Sequence, residues 1–421
     1  MKRKRSRIYQ ALRGAGFAVG LFIAALILFF LTVNTWPIIG AQGADLLRNL
    51  IGDKAVAGLE MKFNQVQDGL EKVKFRLYRE TPAAPWDMPP ATPEELFSTV
   101  TDTKPGTSFP QNKTPVAIVP TPTPFVINLE HLTSTPTRRP WQPENLAPLG
   151  TAEEEGIWSA YIKDPTGSSV AYRTFLEPDP SRPYTLVAIV AVDLTSTRLH
   201  FVLGSEEPAG ENKFTQLRSG AIPPTDRAEK VLLAAFNGGF KARHGQFGAM
   251  SGGITALPPR DGFGTLVIYK GGKVSLAEWK PGSDVTTNIL AYRQNGPLVI
   301  QEGQINPAIH NNSPLDWGYT VDDVSPTVRS GVGLSRDGNT LYYFCGPSLS
   351  MEMLAKSMQA AGAWNAIQLD INNYWTLFVK FQSTGSSVVP EALLPRLMVA
   401  NIDRYLGNFT RDYFYITSLA R

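Results

Sequence analysis

Hydrophobic positions change their rhythm three times along this chain, and each stretch predicts a different element. From Phe17 to Val33 nearly every residue is apolar. With Ala15 and Gly16 before it and Trp36 to Ile39 after it, the span 15–39 reaches the roughly 20 residues that a bilayer requires. Between 44 and 80 the apolar residues thin to a stripe. Leu46, Leu47, Leu50, Ile51, Val56, Leu59, Phe63, Val66, Leu70, Val73 and Leu77 recur mostly at intervals of three or four, which predicts one amphipathic helix. Residues 81–155 lose the pattern. Thr-Pro and Pro-Thr steps, as in Val119-Pro120-Thr121-Pro122-Thr123-Pro124, are too proline-dense to pack a core and read as a semi-rigid stalk.

From 156 to 421 short apolar runs alternate with turn residues. Tyr184–Val192 and Arg198–Leu203 read as a hairpin across Asp193–Thr197. Val231–Phe236 reads as a buried strand. Gly264–Tyr269 and Lys273–Trp279 flank Gly271-Gly272. Leu290–Arg293 and Leu298–Ile300 flank Asn295-Gly296-Pro297, and Gly331–Ser335 and Thr340–Phe344 flank Asp337-Gly338-Asn339. Ser350–Ala361 has helical spacing and Gly362 closes it; Ala366–Leu369 and Trp375–Phe381 are the last strands. Hairpin-linked strands with few flanking helices predict an α+β domain around a mixed β-sheet.

Charge sharpens the membrane reading. The formal net charge is +3, but residues 1–39 carry six basic residues and no acid, leaving 34 basic against 37 acidic residues in the remainder. Nothing beyond the N-terminus favours nucleic acid. The basic cluster at 1–14 predicts a cytoplasmic N-terminus and an exported remainder, so a single-pass protein of the cell membrane. A cleaved signal peptide is the rival; the core is long and no Ala-x-Ala-like site follows crisply, so an uncleaved anchor is the reading taken. The 44–80 stripe lacks a strongly basic face for lipid, which makes homo-oligomer formation its expected use. The single cysteine, Cys345, follows Tyr342, Tyr343 and Phe344 and reads as a buried strand residue. No His or Cys spacing suggests a metal site, and no cofactor is called for.

Candidate chemistry begins at Asn237-Gly238-Gly239-Phe240, just after the buried strand. Two glycines there make a sharp turn that a ligand can approach closely, and the Asn amide offers a donor and an acceptor. Downstream lie Arg329-Ser330-Gly331-Val332-Gly333 and Leu369-Asp370-Ile371-Asn372-Asn373. Taken with Gly296-Pro297-Leu298-Val299 and Gly362-Ala363, these pieces in this order resemble the phosphodiester glycosidase family over about half the chain. That family includes bacterial envelope and exopolysaccharide-associated proteins.

The resemblance implies hydrolysis of a sugar-1-phosphodiester, with a glycan or sugar-phosphate polymer as partner. Arg329 would bind phosphate oxygens bidentately. Asp370 would face an oxocarbenium-like centre or activate water. Asn237 would orient the substrate, with the Gly238 and Gly239 amides as donors. Where the family usually continues Leu-Asp with Gly-Gly-Gly-Ser, this chain has Ile371-Asn372-Asn373-Tyr374-Trp375. Asn372 would then supply amide hydrogen bonds, and Tyr374 a stacking surface for a sugar. His244, in the segment 243–248, is either an acid–base group or a polar surface group. Asp316, Asp322 and Asp323 either bind calcium, supply a second carboxylate or form a solvated acidic loop. Among Trp317, Tyr319, Tyr374 and Trp375, some stack on sugar and at least one packs in the core, with Trp375 the expected core member. The alternative function is a non-catalytic glycan-binding or structural envelope module, with Asp370 and Arg329 kept for structure.

Overall fold

A computed structural model describes residues 37–78, 84–87, 141–209, 218–228, 230–310, 317, 326–384 and 387–420. The apolar run before Pro37, most of the stalk, and Asp316, Tyr319, Asp322 and Asp323 lie outside them. Among the described residues no helix is long and apolar enough to cross a membrane. All the described residues belong to one compact unit.

The single helix expected over 44–80 is two, α1 (Pro37–Ile51) and α2 (Asp53–Tyr78). Gly52 divides them because it takes a left-handed φ of +86°, which ends α1. Arg48 spans the break, with Nη2 2.7 Å from the Glu60 carboxylate. The domain takes in residues 141–155, before the expected start at 156. Trp141 packs on Tyr172 with ring centroids 5.6 Å apart. The buried Glu155 carboxylate accepts the Leu149 amide at 2.9 Å and the Glu177 amide at 2.7 Å.

An eight-stranded sheet runs in the order β1 (Ser159–Lys163), β2 (Ser169–Leu176), β3 (Val187–Asp193), β14 (Thr340–Leu349), β13 (Thr327–Leu334), β15 (Asn365–Gln368), β11 (Ile300–Gln301), β12 (Gln304–Ile305). A five-stranded sheet runs β17 (Ser387–Ala392), β16 (Phe378–Thr384), β5 (Leu232–Asn237), β18 (Tyr413–Ser418), β4 (Thr197–Val202). A third runs β7 (Ile254–Leu257), β6 (Ala249–Ser251), β10 (Ile289–Gln294), β8 (Gly264–Tyr269), β9 (Val274–Glu278). The expected mixed sheet is corrected: every pairing among the described strands is antiparallel. The helix Met351–Ala360 carries the chain from β14 to β15, which lie on either side of β13 and both pair antiparallel with it.

The eight-stranded sheet is covered on both faces, and β3 shows how. Its residues are all buried. Ala188, Val190 and Val192 enter the core shared with the other sheets, while Val187, Ile189 and Ala191 enter the core beneath α3 (Met351–Ala360). Ser350 caps α3 by accepting the Met353 amide at 3.2 Å. The hairpins β8–β9 and β13–β14 form where expected. The hairpin expected across Asp193–Thr197 does not. Asp193 instead ties that turn through Thr195 and Ser196, and β4 leaves to pair with β18 in another sheet.

Candidate active site

The site is built where β5 ends and β18 begins. Their antiparallel register sets Asn237 opposite Tyr413. Arg411 and Asp412, just before β18, are therefore delivered to the Asn237-Gly238-Gly239 turn. β13 and β15 arrive from the eight-stranded sheet, with the Leu369 amide on the Ser330 carbonyl at 2.8 Å.

Asn237 joins these pieces. Its Nδ2 donates to Ser330 Oγ at 3.0 Å and to the Gly238 carbonyl at 3.1 Å. Its Oδ1 accepts Tyr343 OH at 2.8 Å and the Leu377 amide at 3.2 Å. Both donors and both acceptor positions of the amide are thus filled by protein. The role expected for Asn237, orienting substrate directly, becomes one of fixing the corner.

The glycines are explained in the same way. A Cβ on Gly238 would lie 2.1 Å from Asp412 Oδ2, and one on Gly239 would lie 2.6 Å from Asn295 Oδ1. Glycine is required because the protein's own polar groups press on the turn. The amides expected to serve a ligand are used: Gly238 N donates to the Asp412 carbonyl at 3.1 Å and Gly239 N to Asp412 Oδ2 at 3.0 Å. The turn's carbonyls do the positioning. Gly238 O accepts the Asp370 amide at 3.1 Å, and Gly239 O accepts Arg411 Nη2 at 3.0 Å.

Asp370 and Arg411 then meet directly, Oδ2 to Nη2 at 2.5 Å, with side chains 8% and 7% exposed. Asp370 Oδ1 accepts the Asn372 amide at 3.0 Å. The Asp370 carbonyl accepts Ser330 Oγ at 2.6 Å and Thr376 Oγ1 at 3.1 Å. The Arg411 guanidinium lies 5.0 Å from the ring of the half-buried Trp375, and the Lys241 ammonium lies 6.0 Å from that ring. This group holds a carboxylate, a fixed guanidinium fork, a second cation and an aromatic face.

Arg329 is not part of it. On β13 neighbouring side chains point to opposite faces, and Ser330 faces Asn237. Arg329 is fully buried on the other face, with Nε donating to the Leu349 carbonyl at 2.9 Å and Nη1 3.3 Å from Gln368 Oε1. Gln368 in turn donates to the Trp317 carbonyl at 2.9 Å, and Trp317 is core. The arginine that reaches the Asn237 turn is Arg411, through the Gly239 carbonyl and Asp370.

The aromatic expectation is reversed. Tyr374 is buried, its hydroxyl accepting from Asn401 Nδ2 at 2.8 Å and its ring 4.8 Å from the Arg404 guanidinium. Trp375, expected in the core, is the ring beside Arg411. Asn372 closes the turn instead of reaching outward, its Oδ1 accepting the Tyr374 amide at 3.0 Å. His244 lies within the field of Arg411, Arg48 and Arg243. Burial first, then those cations, lower its pKa to about 3, so it is a neutral imidazole at ordinary pH. Asp53 at the start of α2 meets Arg243 at 2.5 Å, which ties the helical pair to this side of the domain. Among the described residues no cluster of His, Cys, Asp or Glu is placed to hold a metal ion.

Sequence reasoning missed Arg411, Asp412, Arg293 and Asn295. The available signal was two adjacent opposite charges directly before the wholly buried strand Tyr413–Ser418. Charges at the mouth of such a strand need partners.

Residues 231–381 match the phosphodiester glycosidase family. The matched segment contains the Asn237 turn, Arg293, Ser330 and Asp370; Arg411 and Asp412 lie beyond its end. Among solved structures, the chain is similar to the zebrafish N-acetylglucosamine-1-phosphodiester alpha-N-acetylglucosaminidase catalytic domain auto-inhibited by pro-peptide. The identity is 16%, covering 63% of this chain and 88% of that one, at a TM-score of 0.38. A hypothetical protein from Synechocystis is similar at 11% identity, covering 62% of this chain and 64% of that one, at a TM-score of 0.29. No curated protein matches the sequence.

Proposed function

We propose that this protein hydrolyses a glycosyl phosphodiester, a sugar-1-phosphate linkage, in an envelope glycan or exopolysaccharide. The observation that carries the reading is the family match over residues 231–381, a span that includes Asp370. Water attacks the anomeric carbon, the bond from that carbon to the phosphate oxygen breaks, and the phosphate monoester leaves with the electron pair. An anionic leaving group of this kind needs no proton from a general acid. Arg411 binds its oxygens; Asp370 stabilises the developing positive charge or takes the proton of the attacking water. Trp375 offers a face for a sugar ring, and Lys241 adds a second positive charge near it. The test is turnover of a synthetic sugar-1-phosphodiester. Release of free sugar that is lost in Asp370→Asn and Arg411→Met supports the assignment, and no release from the wild-type protein ends it.

One observation favours a second reading, a glycan-binding module. Both oxygens of Asp370 already have protein partners, Arg411 and the Asn372 amide. Saturable binding of the same diester without turnover would establish that reading.

The location is also proposed. The apolar span 15–39 with its basic flank supports a single-pass anchor, and the Pro/Thr-rich stalk supports a domain held outside the cell membrane. Labelling of the domain's lysines on intact cells by an impermeant reagent would establish it; labelling only after lysis would refute it.

A further inference from the structure

The two sides of α2 are used differently. One side is pinned to the domain. Asn64 Nδ2 donates to Thr327 Oγ1 at 3.2 Å, Asp68 pairs with Arg182 and accepts Tyr184 OH at 3.3 Å, and Phe75 lies 5.9 Å from the Tyr184 ring. The other side carries Leu59, Val66, Leu70, Val73 and Leu77, which are between 53% and 73% exposed. Nothing among the described residues covers them.

Their spacing identifies what would. Val56, Leu59, Phe63, Val66, Leu70, Val73 and Leu77 follow one another at alternating intervals of three and four, the a and d positions of three heptads. A helix that packs on a globular core, or lies on lipid, uses a broader apolar face than two positions in seven. The e and g positions that border the stripe carry both signs of charge, Glu60, Lys62, Lys74 and Arg76, where an anionic lipid surface would select basic residues. A narrow heptad seam is self-complementary, because each knob fits between the same residues of an identical helix. The domain is docked on the opposite side of α2 and leaves Leu59, Val66, Leu70, Val73 and Leu77 open, while Val56 at the start of the seam is buried and Phe63 half-buried.

We propose that α2 pairs along this seam, parallel and in register, with α2 of a second copy of this chain. The pairing rests on exposure and spacing. The parallel direction rests on the anchor reading above, since apolar runs sharing one membrane lead both copies into α1 from the same side.

Cysteine cross-linking of the full chain in isolated membranes tests the proposal. Cys345 is fully buried, so an introduced thiol is the accessible one. Oxidised Val66→Cys and Val73→Cys should run as disulfide-linked dimers on a non-reducing gel, and Lys72→Cys, off the seam, should remain monomeric. Cross-linking of Lys72→Cys equal to that of the seam positions would overturn the proposal. So would absence of cross-links at both seam positions, or cross-links only between mixed Leu59→Cys and Leu77→Cys chains, which signal an antiparallel pair. Carbonate extraction of the same membranes reads the anchor separately, so failure of the anchor and failure of the pairing are distinguishable.

Discussion

Arg293–Asp412 and Arg411–Asp370 share one corner of the fold but differ in how completely protein atoms surround them. Arg293 and Asp412 have side chains wholly removed from solvent and meet at 2.8 Å. Arg293 also donates to the carbonyls of Phe247 at 3.1 Å, Gln294 at 2.8 Å and Phe240 at 2.6 Å. Asp412 Oδ2 takes the Gly239 amide as well. In the second pair Arg411 engages only through Nη2, its Nε has no hydrogen-bond partner, and the half-buried Trp375 ring lies beside it. The closed pair fixes the turn, and the turn's carbonyls aim the open pair. The closed pair leaves only an acceptor, Asp412 Oδ1, without a partner and wholly out of solvent, whereas the open pair keeps donor capacity at the edge of the core, which is what an anionic ligand requires.

The largest expected effect comes from breaking the closed pair. Asp412→Ala leaves Arg293 buried without its counter-charge, which costs about 3–5 kcal/mol of folding stability. Urea denaturation should show the unfolding free energy lowered by that amount and the midpoint shifted accordingly, with activity lost because the fold is lost. A shift below about 1 kcal/mol, the range of exposed pairs, would show that the two pairs are not different in kind.

Arg411→Met sharpens the contrast from the other side. It should lower kcat/KM for a sugar-1-phosphodiester by at least about 100-fold, the scale of losing one preorganised donor. Its denaturation midpoint should move much less than that of Asp412→Ala. If the two variants unfolded equally, Arg411 would be a second structural arginine.

Gly238→Ala joins the two effects. The new methyl meets Asp412 Oδ2 and must displace the closed pair, at about 1–3 kcal/mol, the usual cost of overpacking. The Gly238 carbonyl holds the Asp370 amide, so activity should fall along with stability. A variant that lost stability and kept full activity would uncouple the turn from Asp370.

These residues also show what the sequence could and could not say. The ordered pieces around Asn237, Gly296, Arg329 and Asp370 pointed to the family whose model matches residues 231–381, because residue type and spacing are read directly from a sequence. The hairpins β8–β9 and β13–β14 were legible because Gly-Gly and Asp-Gly turns act locally. The destination of β4 was not, because the turn at Asp193 looks the same whether the next strand folds back or changes sheet. Arg329 was placed in the site because its chemistry suits phosphate. Which face of β13 it takes depends on a register that Ser330 fixes by bonding to Asn237, 93 residues away in sequence. Arg411 was overlooked for the converse reason: it lies 41 residues beyond Asp370, and its local signal, a charge pair before a buried strand, says that it needs a partner without saying which.

The smallest effect is expected at His244, beside the open pair. Its folded pKa is about 3, against about 6.5 in an unfolded chain. Between those values the unfolded state binds a proton that the native state does not. Its contribution to stability is therefore full above about pH 6.5 and is lost as pH falls toward 3. His200, stacked on Tyr415 with its pKa lowered to about 4 by burial, acts in the same direction over the upper part of that window. The melting temperature should fall as pH drops below 6.5, and the double variant His200→Phe, His244→Gln should show a shallower fall. Activity behaves differently. A neutral imidazole does not change charge between pH 5 and 8, so kcat/KM in His244→Gln should keep the wild-type pH profile across that range. An inflection near pH 6–7 that vanished in His244→Gln would make this histidine a working acid or base, and the neighbouring cations would then have to be neutralised by substrate before the reaction begins.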